Sequence, residues 1–294
     1  MISYAFPVDS RPPDALCPFR LVRPLGRETP VVVEVPHAGL GVDAAALSTM
    51  LVPARCLARD ADLFVDEVVR DVVLEGATLL IAGASRFVVD LNRDEEDHDA
   101  AAVAGSPGES APHGVVWHRA TLGERVLSAP VSRDELTRRL DAYHRPYHRE
   151  LTALIAEKRQ RFGHAVVVSA HSMPSNGVDG RGRTVARADI VPGTRGRTSA
   201  ATALIDHVDR EARTHGFSVR HDDPYRGGFV TRHYGKPARN VHVVQIELAR
   251  RLYMSEDTLC TIEPGMTRLR GFYRDLARTL ATVPLAPRAA AARS

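Results

Sequence analysis

Cysteine is scarce in this chain, three in 294 residues, and Cys17, Cys56 and Cys260 are odd in number and far apart. That pattern excludes a disulfide framework and a paired-cysteine metal knuckle, and it suits a reducing compartment. Long hydrophobic runs are also missing, and the opening MISYAFPVDSRPP has no basic stretch leading into an apolar core. Neither a membrane partner nor a secretory leader is expected, so the reading is a cytoplasmic protein. Charge of one sign is lacking too, because 39 Lys and Arg against 36 Asp and Glu leave a formal +3. With arginines scattered among acids, no basic face offers itself to nucleic acid. No long Gly/Ser or Pro-rich linker interrupts the chain. One domain over 1–294 is expected, with 1–20 and 286–294 peripheral or disordered.

What is present is enough apolar sequence, 44% of residues, for a sizeable core. The stretch Ala165 to Ser172, AVVVSAHS, opens as a β-branched run and ends in small and polar residues around His171. Such a run suits a strand buried on both faces, and ligands of α/β proteins bind beyond the carboxyl ends of such strands. Pro30 to Val35, PVVVEV, has the same character and places His37 at an equivalent end. Thr78 to Ala82 and Arg86 to Leu91 are further strand candidates, the second followed at once by Asn92 and Arg93. His242 to Leu248, HVVQIEL, reads as a strand with Glu247 near its end. A carboxylate there needs a partner or a purpose, and Arg250 or Arg251 is the ordinary partner.

Between these strands, Arg59 to Leu74 carries apolar residues at helical spacing with Gly76 as a stop, placing Asp60 and Asp62 at its start. Helix capping alone accounts for two acids there. Ser132 to Ile155 predicts a helix with a capping-box start that Pro146 kinks or divides. His144 and His148 share a face of it at metal-compatible spacing, but without a neighbouring Glu the structural reading is favoured. Thr198 to His215 and Met266 to Leu285 predict further helices, and Phe217 to Arg220 a short strand. Asp94 to Pro112 and Asn176 to Arg187 read as loops, the second at the same sheet edge as the site. Gly227 and Gly228 mark unusual dihedrals or a close approach to a ligand.

Two histidines with one or two aspartates at strand ends are ligand types for zinc, and three protein ligands leave a position open for water. Glu247 would act as general base, and Asn92 with Arg93 would supply a fork for a substrate carboxylate. The motifs VPHAG, DAD, SRFVVDLNR, YHRPYH, AHS and GGFVTRHYGKPARNVHVVQIELARRLYM resemble those of N-formylglutamate amidohydrolases, also called N-formylglutamate deformylases, in the expected order.

The resemblance implies a three-layer α/β fold of the phosphorylase/hydrolase kind, a mixed sheet with helices on both faces, similar to zinc carboxypeptidases. It implies one zinc ion on His37 and His171, with Glu247 as the catalytic glutamate and Asn92 and Arg93 on the substrate carboxylate. Carboxypeptidases place a glutamate three residues after the first histidine, where this chain has Leu40. Asp62 is the expected third ligand, with Asp60 as the alternative or as an orienter of a histidine. Arg86 is expected to polarise the scissile carbonyl, and Gly228 and Arg232 to contact substrate. The implied reaction releases formate and glutamate from N-formyl-L-glutamate, the last step of one histidine-degradation route in the family. The rivals are a zinc deacylase for another N-acyl amino acid and a non-catalytic protein that binds an acidic metabolite.

Overall fold

The computed structural model describes residues 16–107 and 113–285. Its strands are β1 (Phe19–Val22), β2 (Val31–Val35), β3 (Thr78–Ala82), β4 (Ala165–Met173), β5 (Asn176–Val178), β6 (Thr184–Ala186), β7 (Ile190–Gly193) and β8 (Val241–Ala249). The helices are α1 (Ala44–Ser48), α2 (Ala54–Asp60), α3 (Val65–Val69), α4 (Arg133–Arg139), α5 (Arg145–Phe162), α6 (Thr202–Thr214), α7 (Phe229–Tyr234) and α8 (Glu263–Leu280). Six strands form a mixed sheet in the order β1-β3-β2-β4-β8-β7. The inner four are parallel, and β1 and β7 are antiparallel edges. All nine residues of β4 and all nine of β8 are buried, as a doubly covered parallel sheet requires. This is the α/β architecture with helices on both faces that the sequence implies.

The period of two along each strand sorts the residues into two faces. Val33, Val168, Ala170, Val244 and Ile246 pack into a core with α3, α6 and α8. Val32, Val167 and Val243 pack on the opposite side with Tyr147, Leu151 and Leu154 of α5, each worth roughly 1.5–3 kcal/mol for a large buried apolar side chain. The same alternation puts Glu34, Ser169, His171, Gln245 and Glu247 on the α5 side, so polar residues extend that face toward the carboxyl ends of the strands.

Several local expectations need correction. The helix read over 59–74 is broken: α2 ends at Asp60, Phe64 is left-handed at φ 63°, and α3 begins at Val65 before a 3₁₀ turn that Gly76 closes. Tertiary bonds take the carbonyls a continuous helix would use, since the Arg250 guanidinium binds the carbonyls of Arg59 and Ala61 and the Asp62 N–H donates to that of His37. Arg86 to Leu91 is a buried turn rather than a strand. The Ser85 carbonyl accepts from Val88 and Val89, and Arg139 reaches in to the Val88 carbonyl, so no ladder forms.

The helix predicted from Ser132 does start there, with its Oγ accepting from the Glu135 N–H. A π-helical turn, Leu140–His144, precedes Pro146 and lets the helix continue into α5. Phe217 to Arg220 makes only a single bridge, Val219 to Ile190. Asn176 to Arg187 forms the exposed hairpin β5-β6. Within Asp94 to Pro112, which reads as a loop, Ala102 and Val103 are core residues, while 108–112 lie outside the described residues, as do the ends 1–15 and 286–294.

Candidate active site

The carboxyl ends of β2, β4 and β8 meet the α2–α3 break and the Ser85–Arg93 turn around a cavity of about 710 Å³. β2 delivers His37 just past its last residue, and β4 and β8 carry His171 and Glu247 at paired positions on one face. The break in the helix turns Asp62 inward. One donor atom each of His37, Asp62 and His171 lies within 4.8 Å of the others, and all three residues are buried.

The hydrogen bonds assign both imidazoles. His37 Nε2 lies 2.7 Å from Asp90 Oδ1, a carboxylate that only accepts, so the proton sits on Nε2 and the Nδ1 lone pair faces inward. His37 Nδ1 has no hydrogen-bond partner and stands 3.6 Å from Asp62 Oδ2. His171 Nδ1 donates to the same oxygen at 3.0 Å. Buried, converging on one space and with one nitrogen orphaned, the set has the donor chemistry of a divalent cation site, for which two imidazoles and a carboxylate are suitable ligands once His171 Nδ1 yields its proton. Asp62 is held well below the usual carboxylate range, since His171 and His37 outweigh the burial that opposes its charge. The same facing acids, Asp62 and Glu247 among them, hold His171 above the usual histidine range against its burial.

Asp90 was not singled out by the sequence. It accepts from His37, from Arg86 Nη2 at 2.9 Å, from Trp117 Nε1 at 3.0 Å and from the Asn92 N–H. His37 and Arg86 keep it well below the ordinary range despite complete burial. A carboxylate in the quoted DLNR segment was the available signal, but two of its partners, His37 and Trp117, stand 53 and 27 residues away.

Glu247 makes no ion pair with Arg250 or Arg251. Arg250 is spent on Ser172, two carbonyls and the edge of Asp62, and Arg251 on Asp189. Among the described residues, the Glu247 carboxylate accepts only from Gln245 Nε2, at 2.8 Å. Burial, helped by Asp62, pushes it up to about 7, with His171, His37 and Arg86 limiting the rise. A carboxyl group so tuned can exchange a proton near neutrality. Arg86 lines the cavity with its guanidinium 4.4 Å from the Trp117 ring and its Nε unpartnered.

Asn92 is built into the cavity wall. Its Oδ1 accepts from the Val230 N–H and its Nδ2 donates to Gln245 Oε1. Gly228 packs against that amide so closely that a Cβ would come within 2.4 Å of it. Arg93 lines the cavity, and its guanidinium stands 3.4 Å from Asp97 Oδ2. Arg226, which the sequence reading passed over, also lines it and has no hydrogen bond or ion pair on its guanidinium among the described residues. Arg232 is not in the lining; its side chain is 56% exposed and faces Asp94. Asp60 lines the cavity, but its oxygens are taken by Arg59 and the Thr121 N–H. None of Asn176 to Ala186 lines the cavity.

His144 and His148 are not ligands. Their Nε2 atoms lie 3.0 Å and 2.9 Å from the carbonyls of Arg93 and Leu91, so the π-helical turn and α5 hold the chain on either side of Asn92. Burial lowers His148 to about 3 and keeps it neutral. A second grouping, Glu211, His215 and Asp275, is partly exposed and Asp275 is already paired with Arg278.

The family described as N-formylglutamate amidohydrolase matches residues 29–254. An N-formylglutamate deformylase of Pseudomonas putida is 34% identical over 239 residues, covering 77% of this chain and 82% of that one. Its counterpart in Pseudomonas aeruginosa is 32% identical over 233 residues, with 77% and 83% covered. The crystal structure of N-formylglutamate amidohydrolase from Ralstonia eutropha JMP134 superposes with a TM-score of 0.81 at 33% identity, over 90% of this chain and 97% of that one. The cavity with His37, Asp62, His171 and Glu247 lies inside the matched region, and the chain belongs to the N-formylglutamate amidohydrolase family.

Proposed function

We propose that the protein hydrolyses N-formyl-L-glutamate to formate and L-glutamate, with one zinc ion held by His37, Asp62 and His171 and with Glu247 as general base. When bound, zinc supplies Lewis acidity toward the formyl carbonyl and lowers the pKa of water toward neutrality. Glu247 takes a proton from the attacking water as a C–O bond forms at the formyl carbon. Arg86, charged and aimed into the cavity beside Asp90, stabilises the oxyanion that develops. Glu247 returns the proton to the amide nitrogen as the C–N bond breaks, so the amine departs neutral.

Substrate charge is met by Arg93 and Arg226, the two lining guanidinium groups not already engaged by a close carboxylate, and a dicarboxylate presents two anions to them. Asn92 and Gly228, packed on one another, line the same cavity as the arginines and the donor set. The observation that carries the reading is the orphaned His37 Nδ1 converging with Asp62 and His171 beside a carboxyl group poised near neutrality. The test is formate release from N-formyl-L-glutamate, with added zinc and with a chelator. Chelator-sensitive formate supports the reading; zinc retention with no formate turns it toward another N-acyl amino acid.

A further inference from the structure

Glu34 is a carboxylate that the proposed chemistry does not use, fully buried in the middle of β2 with no cationic partner among the described residues. A group of that kind is costly unless hydrogen bonds compensate it. Two hydroxyl groups do so. Tyr147 of α5 donates to Oε2, and Ser169 of β4 donates to Oε1, Glu34 and Ser169 being paired in register on adjacent strands. The Ser169 oxygen, its own proton given to Glu34, lies 3.0 Å from His171 Nε2 and can only accept there. His171 Nε2 therefore carries a proton, and Nδ1, which donates to the Asp62 carboxylate, is the nitrogen that would give up its proton to a metal in the space shared with His37.

This arrangement parallels His37. One imidazole has its rear nitrogen held directly by Asp90, and the other has it held by Glu34 through a hydroxyl. The period of two makes this possible, since Ser169 and His171 point to the same face of β4 and Glu34 faces the same side from β2. Tyr147 differs in kind, because it touches Glu34 and has no contact with the imidazole.

We infer that Glu34 and Ser169 form a positioning relay that fixes the tautomer and direction of His171 and increases the basicity of the nitrogen it presents to a metal. The inference rests on the zinc reading of the site. Groups that orient a ligating histidine in this way change metal affinity by about 10- to 100-fold when removed.

The experiment is zinc affinity by competition with a chromophoric chelator, on the wild type and on Ser169→Ala, Glu34→Gln and Tyr147→Phe, with urea unfolding of the metal-free proteins alongside. Ser169→Ala is expected to weaken zinc binding by about 10- to 100-fold, Glu34→Gln to weaken it in the same direction, and Tyr147→Phe to change it by less than about threefold. Nitrogen NMR of the zinc-loaded wild type should find the His171 proton on Nε2. Unchanged affinity in Ser169→Ala, or equal losses in Ser169→Ala and Tyr147→Phe, overturns the relay while leaving the zinc reading intact. A wild type that binds no divalent metal overturns both, and is told apart because the loss then precedes any substitution.

Discussion

His171 and Glu247 are direct cross-strand neighbours, paired at the same register on the parallel strands β4 and β8 and turned to the same face of the sheet. Parallel pairing with both side chains at a carboxyl end holds a would-be ligand and a would-be base together on rigid backbone. It also buries Glu247 among charges of both signs, which is why its proton affinity is so far from that of a free carboxyl group.

Glu247→Gln is isosteric and keeps the bond with Gln245 within reach while removing the proton acceptor. Turnover should fall by about 10²- to 10⁴-fold with zinc content unchanged, measured by formate release and metal analysis on the same sample. Loss of zinc in this variant would assign Glu247 to the metal instead.

The same residue has a stability signature in the metal-free protein. Its carboxyl group is raised from an ordinary 4.5 to about 7, so the folded state holds the proton more tightly than the unfolded chain. The resulting stabilisation is complete below about pH 4.5 and is lost as pH rises through about 7. Urea unfolding of the metal-free wild type and Glu247→Gln should therefore diverge between about pH 5 and pH 8, with the variant gaining by roughly 3 kcal/mol in relative terms. Parallel pH profiles would show that Glu247 ionises normally.

Arg93→Gln and Arg226→Gln each remove one cation from the cavity lining without touching the donor set. Each should raise KM for N-formyl-L-glutamate by about 10- to 100-fold, the worth of a charged hydrogen bond, and leave kcat within a few-fold. Arg232→Gln, on a side chain exposed outside the lining, should leave both constants near wild type. A KM effect at Arg232 alone would relocate the carboxylate site.

Gly228→Ala tests the close packing on Asn92. The new Cβ would sit 2.4 Å from Asn92 Nδ2, so the amide must move and its bond to Gln245 must lengthen. A loss of about 1–3 kcal/mol in stability, with a larger loss of activity than of zinc binding, is the expected outcome from thermal melts and steady-state kinetics. Wild-type activity in this variant would show that Asn92 need not be fixed.

Much of the sheet was readable because β2, β3, β4 and β8 are apolar runs of strand length, most of them rich in β-branched residues, as strands buried on both faces are. Arg86 to Leu91 has the same composition and is no strand, because Ser85 and Arg139 supply its backbone with other partners. The helix over 59–74 failed for a related reason: Arg250, about 190 positions away, takes the carbonyls that end α2. Local pattern cannot register a donor at that separation.

The sequence by itself determined which residue types could stand at strand ends, so His37, His171 and Glu247 were identifiable from short apolar runs that stop in polar residues. Only the tertiary structure decided how they act together. It placed Asp62 in a helix break with its oxygen toward both imidazoles, and turned Asp60 away to Arg59 and Thr121. It set Asp90 and Glu34 behind the two histidines, left Arg232 outside the cavity and brought Arg226 into it. Side-chain periodicity is a local property written in the chain, whereas hydrogen-bond partners and charge neighbours are set by which distant segments the packed sheet and helices bring together.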